Sequence, residues 1–421
     1  MLIVLAAGAA VTAAYLSAAQ DREFRRLVAA GEEALVRQNA GVAVEAFSGA
    51  IALKPDSMLA HLKRGETYHR QGNLKAAMRD LRTASGLDPA ATRPLEQLGD
   101  VHAAMKRYDR AVEQYAAYVR LDERSARVHY KLAAAYYQAG EPRRALEPAA
   151  QAIALDGDMA EAHYVRGLCL DAIGQRSAAR AALERAVELA PGAAPAREAL
   201  AALWRASGNH AKATEQLEAL AALDRSRPSR LIALGLGYAE ARRTDLAVIT
   251  LGRAAELFPD SVQVYAALGD VWLRTAEHTG DRVALGKALE ALRTAVVRGG
   301  SGSHELALYG RALLLAGDAH GAARSLREAA TKLPVAPATL LWLGRACDRL
   351  GQRREARDAL QGYIALTPGE PPAVDVLRRL GELSLRIGDQ AAAVTWLRKA
   401  VAAAPSDPAL VARLRTIEAR R

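Results

Sequence analysis

His61, His129 and His163 are spaced by multiples of 34 residues. A column of imidazoles on equivalent positions would offer nitrogen ligands suited to zinc or copper. No carboxylate or Cys keeps the same register beside them, so the reading favours histidine as a bulky packing residue against a neighbouring helix. Cys169 and Cys347 lie far apart, and neither belongs to a CxxC. They build neither a disulfide framework nor a zinc knuckle. Both fall in apolar stretches, where a reduced Cys acts as a small buried hydrophobe and points toward a reducing compartment. No glycine-rich phosphate loop, HExxH or GxSxG occurs, so nucleophile, phosphate and metallohydrolase motifs are all missing. The sequence reads as a non-enzyme needing no cofactor and no metal.

A protein without a reaction centre acts through its surface. The formal charge of +10 comes mostly from Arg. That balance favours nucleic acid, anionic lipid or acidic partners in general. No run of five like charges occurs and no stretch alternates aromatic with basic residues, which weighs against nucleic acid.

The elements that position such a surface follow from composition. Apolar residues make up 51% and aromatics only 5%, leaving Ala and Leu, the strongest helix formers, to supply the packing. Strand-like runs of Val, Ile and Thr are missing. The chain reads as all-α.

Gly31, Gly65, Gly99, Ala133, Gly167, Ala201, Gly235 and Gly269 follow one another at steps of 34 residues; Gly310, Gly344 and Gly381 come after steps of 41, 34 and 37. Twelve residues after ten of the eleven small residues an Ala recurs, as at Ala43, Ala77, Ala145, Ala179 and Ala247. Four further on a large residue is usual, as in Phe47, Leu81, Tyr115, Leu183 and Leu251. The small residue and the Ala mark the closest crossing of two helices, and the large residue is expected to fill the gap toward the next unit. Gly72, Gly140, Gly174, Gly208, Gly317, Gly351 and Gly388 stand where one helix must end and the next begin, a place for the left-handed conformation. Pro55, Pro89, Pro191, Pro259, Pro334, Pro368 and Pro405 close units, with Ser57 and Ser261 as helix caps. Pro148 is expected to kink a helix. The step of 41 inserts seven residues near Thr275–Asp281, enough for an extra turn on each helix of that pair.

This pattern resembles the tetratricopeptide repeat family over residues 24–407. The resemblance implies a right-handed superhelical solenoid of stacked antiparallel helix pairs, about eleven in number. The units are 24–57, 58–91, 92–125, 126–159, 160–193, 194–227, 228–261, 262–302, 303–336, 337–370 and 374–407, with a capping helix at 408–421. It also implies that the first helix of each pair lines a concave groove, where a protein or peptide segment binds. By register, the groove of the middle units carries Tyr130, Tyr137, Tyr164 and Leu168, with Arg127 beside them. Toward the C-terminus it carries Arg274, Arg311, Arg345, Arg349, Arg378 and Arg386, against Asp270, Asp348, Asp375 and Glu382. The expected function is a non-catalytic scaffold with an aromatic anchor pocket, followed by a mildly basic groove for an acidic segment. The alternative is an anion-binding module that takes nucleic acid or an acidic polysaccharide in the Arg-rich groove. Relatives that clamp a terminal carboxylate use Asn and Lys on the inner helix; Asn39, Asn73 and Asn209 lie in turns here, so that clamp is not expected.

Residues 1–19 are uncharged and apolar. As a helix they would span ~28 Å, the thickness of a bilayer core. With Arg22, Arg25 and Arg26 following and no basic residue before them, a membrane anchor with cytoplasmic repeats is expected. A signal segment cleaved after Ser17-Ala18-Ala19, with export to the periplasm or cell envelope, is the alternative.

Overall fold

The computed structural model describes the backbone of residues 2–299, 302–369 and 371–419, and side chains over the same ranges from residue 15 onward. Among the described residues there are 23 α-helices and no strand. The chain divides into two compact units, the first ending at Leu203 and the second beginning at Trp204.

The first unit holds α1 (Leu2–Val36), α2 (Ala40–Leu53), α3 (Met58–Arg70), α4 (Leu74–Leu87), α5 (Thr92–Ala104) and α6 (Tyr108–Leu121). It continues with α7 (Ala126–Gln138), α8 (Pro142–Leu155), α9 (Ala160–Ala172), α10 (Arg176–Leu189) and α11 (Ala194–Ala206), within which the division falls. The second holds α12 (His210–Leu223), α13 (Pro228–Glu240), α14 (Thr244–Leu257), α15 (Val262–Thr279), α16 (Arg282–Gly299) and α17 (Ser303–Leu315). After these come α18 (Ala319–Ala330), α19 (Pro337–Arg349), α20 (Arg353–Ala365), α21 (Val374–Arg386), α22 (Gln390–Ala403) and α23 (Pro408–Glu418). Within each unit, consecutive helices pack as antiparallel pairs and each pair stacks on the next.

Three-residue turns join the helices of most pairs, as Gln71, Gly72 and Asn73 join α3 to α4. The middle residue takes positive φ, 75° at Gly72 and 84° at Gly174. The following amide can then reach back to a carbonyl of the last turn, Asn73 N to Tyr68 O at 2.9 Å. Glycine suits this conformation because it has no Cβ to clash. Three turns manage without it: Gln38, Lys106 and Arg242 adopt φ of 59°, 57° and 59°. Asn39, Asn73 and Asn209 cap the second helix, accepting from the amides of Val42, Ala76 and Lys212. Ser57 caps α3 in the same way. Ser261 precedes α15, but its hydroxyl donates to the Gln263 side chain and leaves the helix amides alone.

The small residues mark tight crossings, with one correction to the sequence reading. The large residue does not fill the space toward the next unit; it lies over the glycine of its own pair. A Cβ added at Gly65 would stand 2.8 Å from Leu81 Cγ, and one at Gly167 would stand 2.7 Å from Leu183 Cγ. The reason is helical phase: the Ala and the large residue are four apart, so both face the first helix. In the fourth pair, Ala133 meets Ala149, both fully buried. The room left there is filled from the side by Tyr130, Tyr136, Tyr137 and Tyr164.

The inserted residues lengthen both helices of their pair, α15 and α16, to 18 residues each. Gly280 turns between them at φ 72°. α8 continues through the buried Pro148, which removes one intrahelical amide. Asp407 caps α23 through the amides of Ala409 and Leu410, and Leu410 and Ile417 bury against Leu377 and Leu397.

The membrane anchor or signal expected at 1–19 falls mostly on side chains outside the described residues. Among the described residues no helix is long and apolar enough to cross a membrane. The helical backbone runs without a break from Leu2 into the first pair. Where that segment ends, the Gln20 amide donates to the Leu53 carbonyl and Asp21 pairs with Lys54 at 2.5 Å.

Candidate partner-binding surface

On α7, Arg127, Tyr130, Ala134 and Tyr137 are spaced by three, four and three residues, so they form one stripe along the helix. The same phase on α9 selects Glu161, Tyr164, Leu168 and Asp171. The two helices touch directly, which brings the stripes side by side. Tyr130, Tyr137, Tyr164 and Leu168 are half-buried, and the three Tyr pack against the small core of the fourth pair. Burial pushes the Tyr130 and Tyr164 hydroxyls above the usual phenol range. Tyr130 and Tyr137 lie within electrostatic reach of the Tyr164 hydroxyl, so the structure brings the predicted tyrosines together. A half-buried Tyr presents a rigid apolar ring with a polar tip, the usual anchor of a protein interface.

Arg127, expected beside them, has another engagement. Its guanidinium donates to Glu96 at 2.8 Å, and Lys131 donates to Glu96 and to Asp100 at 2.7 Å each. Tyr115 adds a hydrogen bond to Asp100 at 2.7 Å, and burial, reinforced by that carboxylate, raises the phenol well above its usual range. Glu96 is only 3% exposed; buried alone, its charge would be costly. Similar pairs join α1 to α3 through Glu32 and Lys63, and α3 to α5 through Glu66 and Arg93. The first helices of successive pairs are thus stitched by ion pairs from α1 to α7. No such pair joins α7 to α9 among the described residues; the tyrosines take that place.

The C-terminal arginines are similarly occupied. Arg274 pairs with Asp270 at 2.6 Å, Arg311 with Glu277, and Arg345 with Asp375 at 3.3 Å. Arg349 donates to the Leu314 carbonyl at 2.6 Å. Arg311 and Arg345 also stand over the Trp342 ring, 5.1 and 4.8 Å from its centroid. Asp348 and Glu382 both receive Arg379. Arg349, Arg378 and Arg386 are exposed with no carboxylate partner among the described residues, and of these only Arg349 is held by a carbonyl. Carboxylates already matched to guanidiniums cancel most of the field an incoming anion would feel.

The histidines have a structural use. The Nε2–H of His61, His129 and His163 donates to the carbonyl six residues earlier, Pro55, Glu123 and Gly157, at 3.0, 3.0 and 3.1 Å. Each ring ties its helix to the turn that precedes it. Arg197, one repeat further on, makes the same bond to Pro191 O at 2.8 Å. Among the described residues no group of His, Cys, Asp and Glu is placed to hold a metal ion. Cys169 and Cys347 are buried and unpaired, and burial pushes both thiols up to about 11.

Comparison with known proteins fits this geometry. The model described as "Tetratricopeptide repeat" matches residues 28–92, 130–194, 310–371 and 349–408, more than half of the chain. A second, described as "TPR repeat", matches residues 99–140. The chain belongs to the tetratricopeptide repeat family. A curated relative, the small glutamine-rich tetratricopeptide repeat-containing protein 2 of Mycosarcoma maydis, is 32% identical over 97 residues. That match spans 23% of this chain and 28% of the relative. Among solved structures, yeast Tom70 is similar at 13% identity and TM-score 0.46, over 95% of this chain and 96% of its own. MamA from Desulfovibrio magneticus is similar at 23% identity and TM-score 0.38, over 40% of this chain and 95% of its own.

For this tetratricopeptide repeat chain, sequence register placed the tyrosines but missed what surrounds them. Glu161 and Asp171 end the α9 stripe, and Glu198 occupies on α11 the position that Tyr130 and Tyr164 hold on α7 and α9. Glu161 lies within electrostatic reach of the Tyr130 hydroxyl, and Glu198 of the Tyr164 hydroxyl. The same register that found the tyrosines contains these acids.

Proposed function

We propose that the chain is a non-catalytic scaffold, whose α7–α9 face binds an extended segment of a partner protein through Tyr130, Tyr137, Tyr164 and Leu168. One observation carries this reading: the ion pairs that stitch the preceding first helices give way there to half-buried aromatic rings. Burying a ring removes apolar surface from water at ~25 cal/mol per Å², whereas a matched exposed ion pair contributes ~0–1 kcal/mol and offers a partner little. Other candidate groups are already engaged: His61, His129 and His163 with backbone carbonyls, both thiols in the core, and Arg274, Arg311 and Arg345 with carboxylates. Of the six groove arginines, the anion-binding alternative has Arg349, Arg378 and Arg386 without a carboxylate partner among the described residues to draw on.

The test is in-cell crosslinking with identification of what copurifies, comparing the natural chain with a Tyr130→Ala, Tyr137→Ala, Tyr164→Ala variant. With helical content unchanged, the variant is expected to lose most of the captured partners. Full retention by a folded variant would move the binding surface elsewhere.

A further inference from the structure

We infer that the segment taken up by the α7–α9 face is cationic, carrying Lys or Arg between apolar residues. This rests on the aromatic face being the docking surface and adds the chemistry of its occupant. The argument is charge complementarity. Along α9 the order is Glu161, Tyr164, Leu168, Asp171, an apolar centre with a carboxylate at each end. Glu198 supplies a third carboxylate from α11, at the position Tyr164 holds on α9 and within electrostatic reach of the Tyr164 hydroxyl. All three are exposed and have no cationic partner among the described residues. On the opposite side of the tyrosines the charges are already balanced: Glu96 and Asp100 are matched by Arg127 and Lys131. A segment lying across the face therefore meets net negative charge at its edges and aromatic rings at its centre.

Tyrosine rings add to this preference, since a cation over the ring face is attracted by its quadrupole. An acidic segment would meet like charge at each end of α9. The overall charge of +10 sharpens the contrast, because the rest of the molecule repels a basic segment. Such a segment should dwell only where acids are locally in excess.

The test uses three fluorescein-labelled, capped peptides that alternate Leu with Arg, Leu with Gln, or Leu with Glu, read by anisotropy against the full chain. The Leu–Arg peptide is expected to bind at least tenfold more tightly than the Leu–Gln peptide. A Glu161→Gln, Asp171→Asn, Glu198→Gln variant should weaken the Leu–Arg peptide by about tenfold, as three exposed ion pairs together would, and leave the Leu–Gln peptide unchanged. These side chains are exposed, so the variant should keep its helical signal. Equal affinity of the natural chain for all three peptides, lost in the triple Tyr variant, would overturn the charge inference and leave the aromatic surface standing. Binding of the Leu–Arg peptide that survives the triple Tyr variant would overturn both. If the triple Tyr variant does not fold, Tyr164→Arg replaces it, and is expected to weaken the Leu–Arg peptide and strengthen the Leu–Glu peptide.

Discussion

Gly235 lies directly beneath Leu251: a Cβ added at the glycine would stand 2.5 Å from the leucine Cγ. Real Cβ atoms do not approach so closely, and Leu251 is fully buried with nowhere to retreat. One residue further along α14, Gly252 has nothing within 4 Å of its would-be Cβ. The same chemical change should therefore have opposite signs at the two sites. Gly235→Ala is expected to destabilise by ~1–3 kcal/mol through overpacking. Gly252→Ala should stabilise by ~0.5–1 kcal/mol through helix propensity. Denaturant midpoints of the two variants would show it, and equal shifts would contradict the packing described.

The turns without glycine give a second prediction. Lys106 and Arg242 hold φ of 57° and 59°, a conformation that costs an L-residue roughly 1–2 kcal/mol. Lys106→Gly and Arg242→Gly should each raise stability by up to ~1 kcal/mol, because relief of strain outweighs the added chain entropy. Gly174→Ala, at φ 84°, should lower it by a similar amount. Thermal midpoints that fall in the Lys106→Gly variant would refute the assignment of strain.

Lys131 holds two carboxylates, Glu96 and Asp100, and one of them is nearly sealed from water. Lys131→Ala is expected to cost ~1–3 kcal/mol, since it leaves a buried charge only partly matched by Arg127. Arg37→Ala, which breaks an exposed pair with Glu33, should leave the denaturation midpoint unchanged. A Lys131→Met, Glu96→Leu variant, which keeps Asp100 as acceptor for the buried Tyr115 hydroxyl, should recover part of the loss, because a charge that is absent needs no partner.

Both thiols are lifted from 9.0 to about 11 by burial, with Glu355 adding to the effect at Cys347. In the folded state at pH 8 neither should react with iodoacetamide, while both should react in denaturant. The sign of the pH dependence follows from the raised value. The stabilisation is full below the unfolded value, and declines as pH rises from about 9 toward about 11. Cys169→Ala, Cys347→Ala should flatten that alkaline decline in the denaturation midpoint.

The sequence by itself determined the helices, their pairing and the repeat. Gly72, Gly174 and the other turn glycines, the Ala that recurs twelve residues beyond the small residue, and the closing prolines are local signals. Each acts through backbone geometry or close contact within one helix pair. The meeting of Tyr130, Tyr137 and Tyr164 followed from the same register. Tertiary structure decided what the register could not: which charge is spent on which neighbour. Arg127, Arg311 and Arg345 look free when counted, yet each meets a carboxylate some 30 residues away in sequence, Glu96, Glu277 and Asp375. The large residues likewise had two possible partners until the helix phases placed Leu81 over Gly65. Ion pairing depends on distances of a few ångströms between side chains on different helices. Helix formation depends on neighbours within four residues. The first is fixed only when pairs stack, whereas the second is written along the chain.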